Sequence, residues 1–232
     1  MIEDFSFETV ARRAGELAAV RDLLPAGTRV AIPHLDGVDV PGLVDAAHAV
    51  RKLGFVPVPH LAARRLESGA GLAALREATD QLFVVGGDPT SARGPFADAL
   101  ALIRSGLLVE HGFVAVGLPG YPSGHPMISD ENLWSDLAAK SDALRVQGLA
   151  AAVTTQFASR HAVREWLAEA RRRGLDLPVR ISVPGAGGLT PALAARLGVA
   201  ADAAGHLDRP EGLKVHFSPF GALRDTALLV AR

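Results

Sequence analysis

Eight short β-type runs alternate with eight longer Ala/Leu/Arg-rich segments of helical period, and this alternation restricts the chain's architecture more than any other feature. The strand runs are 4–9, 28–35, 55–60, 81–86, 113–118, 150–157, 178–183 and 213–218, and helical patterns fall near 10–24, 40–53, 72–78, 95–107, 131–144, 159–173, 190–197 and 220–230. Strand then helix, repeated eight times in 232 residues, predicts an α/β fold: a (βα)8 TIM barrel with a closed, parallel, eight-stranded sheet. An open doubly wound sheet usually has fewer strands, and no Gly-x-Gly-x-x-Gly turn follows the first one. At 49% hydrophobic residues and mean hydropathy +0.22 the chain can bury a large core, so residues 1–232 read as a single barrel domain.

Charge and composition exclude several classes of function. The 24 Lys and Arg nearly cancel the 25 Asp and Glu, so no overall basic field favours nucleic acid or an anionic membrane. The absence of cysteine removes disulfides, thiolate metal sites and a cysteine nucleophile. Met1-Ile2-Glu3-Asp4 has neither the basic flank nor the apolar core of a signal peptide, so a soluble, cytoplasmic protein is expected. Apolar outer helices occur in monomers and homo-oligomers alike, and oligomeric state is left open.

In a barrel of this kind the chemistry sits at the C-terminal ends of the strands. The richest of those ends is Gly120-Tyr121-Pro122-Ser123-Gly124-His125-Pro126, where the fifth strand breaks into a loop carrying a Tyr and a His. On the first strand, Ser6 and Glu8 share one face and Phe5 and Phe7 the other. The Phe pair should meet the helices, and Glu8 should enter the barrel mouth, where desolvation would raise its pKa toward that of a general acid. The second and third strands end in His34 and His60, each within a Pro-His-Leu triplet. The fourth ends Gly86-Gly87-Asp88, where glycines admit a ligand close to the backbone and Asp88 can accept hydrogen bonds. Gln156, after the sixth strand, can donate and accept at once. Lys140 is one of three lysines against twenty-one arginines and lies in the helix after the fifth strand, as a phosphate contact or a solvated helix lysine.

Taken in order, Ser6-Phe7-Glu8, Pro59-His60-Leu61, Gly86-Gly87-Asp88-Pro89, Tyr121-Pro122-Ser123-Gly124-His125-Pro126, Lys140-Ser141-Asp142, Thr155-Gln156-Phe157, Val183-Pro184-Gly185 and Gly212-Leu213-Lys214-Val215-His216-Phe217 resemble the motifs of the methylenetetrahydrofolate reductase family. That resemblance implies a flavin-dependent barrel that reduces 5,10-methylenetetrahydrofolate to 5-methyltetrahydrofolate, with NADH or NADPH as hydride donor. It implies that Glu8 is the catalytic acid and that Asp88 and Gln156 hold the pterin edge of the folate substrate. His60, Gly86, Gly87, Asp88, Tyr121, His125 and Lys140 would lie along the FAD. The sequence departs from the family at Ala31-Ile32-Pro33-His34, where a flavin-touching Thr is usual, and at Gly86, where an Arg is usual. These departures leave as one alternative a divergent folate-binding paralogue with weak or no flavin binding; His34, His60, Asp88, His125 and His216, all reaching one face, leave a metal-dependent barrel hydrolase as another.

Overall fold

The computed structural model describes residues 4–87, 92–188, 190 and 213–231. Eight strands pair in sequence order and close on themselves: β1 Phe5–Glu8, β2 Arg29–Ile32, β3 Val56–Ala62, β4 Gln81–Val85, β5 Ala115–Gly120, β6 Ala150–Thr155, β7 Val179–Pro184 and β8 Lys214–Ser218. Every pairing is parallel. The expected architecture is therefore present, with each strand within a few residues of its sequence limits.

Helices cover the outside because each presents an apolar stripe to the sheet. In α1 (Val40–Lys52) the buried positions are Leu43, Ala46, Ala47 and Val50. The Asp39 carboxylate caps this helix by accepting from the Gly42 N–H at 2.9 Å. Further round lie α2 (Ala70–Ala78), α3 (Ala99–Arg104), α4 (Leu107–Glu110), α5 (Asp130–Val146), α6 (Arg160–Arg172) and a C-terminal helix, Leu223–Ala231. Serine hydroxyls of Ser129 and Ser159 cap α5 and α6.

Two helical expectations change. The first helix, Ala11–Leu23, is wound throughout as a 3₁₀ helix; it has no side-chain cap and carries Gly15 in its first half. The pattern expected over 95–107 divides into α3 and α4, because Gly106 turns the chain at φ +78°, a conformation that favours glycine. The seventh helical pattern, 190–197, lies almost wholly outside the described residues.

The barrel closes where the first strand meets the last. Phe5 and Phe7 of β1 and Phe217 of β8 form an aromatic triple behind the sheet, with ring centroids 5.8 to 6.2 Å apart. Phe7 and Phe217 are fully buried. Such pairs contribute about 0.5–1.5 kcal/mol each beyond their buried area. As the alternation predicts, the Phe pair faces outward to the helices and Ser6 and Glu8 point inward. Among the described residues no helix is long and apolar enough to cross a membrane.

Candidate functional site

The barrel mouth is organised around Glu8. Its side chain is 24% exposed, and Oε2 lies 3.7 Å from His216 Nε2. On the far side of the imidazole, His216 Nδ1 is 2.8 Å from the Ser6 hydroxyl. This line of Glu8, His216 and Ser6 follows from register: Ser6 pairs with His216 across the closing β1–β8 seam, and alternation places Glu8 and Ser218 one step higher on the same inner face. His60, from β3, completes the cluster and stacks on Phe83 at 4.4 Å and 28°.

The electrostatics reverse one expectation. Burial does push the Glu8 carboxyl up, but hydrogen bonding and charge from His216, the charge of His60 and a hydrogen bond from Ser218 outweigh it, so its pKa falls below the ordinary value. Glu8 is thus ionised at neutral pH, where a raised, protonated acid was expected. The opposing partner is 208 positions along the chain. His60 moves the other way in chemical consequence: burial pushes its pKa down to about 4, against the pull of Glu8, so it is a neutral imidazole at pH 7.

His34 faces a different task. Its Nδ1 accepts from the Ala62 N–H at 3.3 Å and its Nε2 meets the Val38 carbonyl at 3.1 Å, which fixes a neutral ring tying the β2 and β3 loops together. Burial and the charge of Arg65 lower its pKa, consistent with that neutral state. Neither nitrogen is left for a ligand.

The Tyr121–His125 pair forms a second centre on the loop after β5. The rings meet edge to face at 5.5 Å, and His125 Nδ1 accepts from the Met127 N–H at 3.1 Å. Tyr121 lines a groove of about 610 Å³ between α5 and α6, whose floor holds Trp134 and Trp166 stacked at 5.2 Å. Asp130, Glu165 and Glu169 line the same groove. Gly86 and Gly87 follow β4; a Cβ on Gly86 would meet open space, and Gly87 sits at φ +93°. Gln156 is exposed just after β6, its backbone N–H held by the Gly120 carbonyl at 2.7 Å. Asp88 lies outside the described residues.

Lys140 is not placed for a phosphate. Its side chain is 9% exposed within α5, in line with buried Leu137 and Leu144, and its ammonium is paired with Asp136 one turn earlier. The solvated-helix alternative fails as well, since the lysine is buried and its partner Asp136 is the half-exposed member. Among the described residues no group of three or more His, Asp or Glu side chains is arranged to hold a metal ion.

Sequence reasoning placed His60 and His216 on one face but did not join them to Glu8, and it missed Ser218 altogether. The signal was present: in a closed barrel the first and last strands are neighbours, and both carry polar residues two apart, Ser6 and Glu8 opposite His216 and Ser218.

Together these features define a closed (βα)8 barrel with a carboxylate–imidazole cluster at the C-terminal mouth. No family model matches the chain. A conserved protein of unknown function from Enterococcus faecalis is similar in structure at TM-score 0.51 and 14% identity, covering 92% of this chain. This chain spans 60% of that protein's length, and the likeness is one of fold. A D-psicose 3-epimerase, crystallised in the presence of D-fructose, superposes at TM-score 0.37 and 10% identity, with coverage of 98% of this chain and 90% of that one.

Proposed function

We propose that this protein is a methylenetetrahydrofolate reductase-like oxidoreductase, acting on a folate one-carbon substrate at the barrel mouth. The observation that carries the reading is the position of Glu8: an inward, partly exposed carboxylate at the end of β1, coupled to His216. In support, Gly86-Gly87, Tyr121-His125 and Gln156 all occupy strand-end loops on the same face as Glu8, where the resembling motifs would bring a ring system and a pterin edge.

Opening of the imidazolidine bridge requires a proton on its nitrogen, leaving an iminium carbon to accept hydride. Because Glu8 is ionised, that proton has to reach the bridge nitrogen by way of the Glu8–His216 pair, whose Oε2 and Nε2 lie 3.7 Å apart, rather than from a pre-protonated carboxyl. Ser6 and Ser218 hold the two groups in line. Hydride then reaches the iminium carbon from a reduced nicotinamide, NADH or NADPH, giving the methyl product.

The FAD implied by the resemblance is accommodated only in part. The glycines after β4 leave room for a ring, but the groove beside Tyr121 is lined by three carboxylates against one cation, Arg172, which is paired with Glu169, and Lys140 already has Asp136. These residues do not fit a dinucleotide's diphosphate, so no step here runs through the flavin. The same observation favours a second reading, a folate-binding paralogue with weak or no flavin binding.

Turnover of 5,10-methylenetetrahydrofolate with NADH and with NADPH, each with and without added FAD, tests the proposal. Formation of 5-methyltetrahydrofolate that falls by about 100-fold or more in Glu8→Gln is expected. Folate binding by calorimetry with no turnover under any of the four conditions would replace it with the paralogue reading.

A further inference from the structure

The lower half of the barrel is hollow. A (βα)8 interior is normally filled by bulky branched side chains, but here β5 and β6 contribute Ala115, Gly117, Ala150 and Ala152. What remains is a chamber of about 270 Å³ reaching from the N-terminal ends of the strands up to Ser6, His60 and His216. Phe83 closes only part of the space, packed so tightly on Gly117 that a Cβ there would come within 2.3 Å of its ring. Val58, Phe83 and the alanines make the wall apolar.

The rim of this chamber is strongly positive. Arg29, Arg180 and Lys214 line it, and among the described residues the carboxylate that meets them is Asp4. Both Asp4 oxygens are taken, Oδ1 by Arg180 and Oδ2 by Lys214 at 2.5 Å each, while Arg29 stands off at 3.5 Å. Among the described residues, three cations against one carboxylate leave two positive charges over. The Arg180 side chain is only 12% exposed and is engaged by Asp4, whose backbone carbonyl accepts from it at 3.0 Å, whereas Arg29 and Lys214 are nearly half exposed and open the rim to solvent. The other polar groups lining it are Gln81, which accepts from Arg29 at 3.3 Å, Thr154, and the roof residues Ser6, His60 and His216.

We propose that this chamber is a second binding site, distinct from the mouth, for a small organic monocarboxylate entering from the N-terminal face. The carboxylate would be held by Arg29 and Arg180 at the rim, and a short carbon chain would fill the space against Val58, Ala115 and Ala152. The volume sets the size, below the ~300–1,000 Å³ of ordinary ligand pockets. The unmatched rim charge sets the sign, and the alanine wall sets the apolar body. None of this depends on the folate reading.

Calorimetric titration and thermal unfolding of the full chain with butyrate, butyramide and inorganic phosphate decide it. Butyrate should bind saturably and raise the Tm, and neither butyramide nor phosphate should do so. Arg180→Met removes the buried cation and Ala115→Leu fills the chamber; each should weaken butyrate binding at least 10-fold, and Ala115→Leu should itself fold, since it adds apolar volume to a void. Equal responses to butyrate and butyramide, equal responses to butyrate and phosphate, or undiminished butyrate binding in folded Ala115→Leu would each overturn the site.

Discussion

The two ends of this barrel each hold one carboxylate with a lowered pKa, yet the means differ. At the bottom, burial would raise Asp4, but Lys214 and Arg180 hold it down at about 2. At the mouth, Glu8 is held down chiefly by hydrogen bonding and charge from His216. A carboxylate clamped by permanent cations is fixed scaffolding, while one balanced against imidazoles can exchange a proton. The same residue class thus serves opposite purposes about one strand length apart, and the partners decide which.

The sharpest way to break this contrast is Glu8→Gln, which keeps the shape of the mouth and removes its proton exchange. Folate reduction should fall by roughly 100- to 10,000-fold while the fold, followed by circular dichroism, is retained. A variant as active as the parent would make Glu8 scaffolding like Asp4.

His60→Phe should produce the next largest effect, in stability. The folded His60 binds its proton only near pH 4 whereas the unfolded one binds it near 6.5, so the unfolded chain carries the extra proton between those values and folding stability is lost as pH falls through that window. The full shift corresponds to up to about 3 kcal/mol. Denaturant midpoints measured from pH 7 to 4 should show a shallower decline in His60→Phe, whose ring still packs on Phe83. Glu8 contributes in the same sense at lower pH, since its folded pKa is depressed and its stabilisation is lost as pH falls through that value.

Gly117→Ala sharpens the boundary between the two halves. Its Cβ would press on the Phe83 ring, costing about 1–3 kcal/mol by overpacking, visible as a lower Tm. Least of all, Asp4→Asn should cost about 1 kcal/mol, because its side chain is 40% exposed and surface ion pairs are weak. That loss should be constant from pH 5 to 8, since the Asp4 carboxylate, held at about 2, stays ionised throughout, and a pH-dependent loss would show that its cations do not hold it.

The fold was legible because strand identity here is local: β-branched and apolar runs end in Gly, Pro and His, and their count alone selects a closed barrel. The inward direction of Glu8 was legible for the same reason, from the two-residue period of Phe5-Ser6-Phe7-Glu8. The state of its proton was not, because it depends on His216 and Ser218, brought beside it only when the seam closes. Lys140 shows a milder version. Its partner Asp136 lies four residues away, a spacing readable in any helix, but that the lysine is buried depends on α5 packing against the barrel.

The Phe5–Phe7–Phe217 seam also sets the order of events during synthesis. The pairing that completes the barrel joins residues about 210 positions apart, so the first strand has no final neighbour until β8 has left the ribosome. Until then β1 and β7 are both unpaired edges, and the phenylalanines meant for each other are exposed to other chains. Loop closure on this scale favours slow late folding, and the nascent chain should depend on chaperone protection until β8 has emerged.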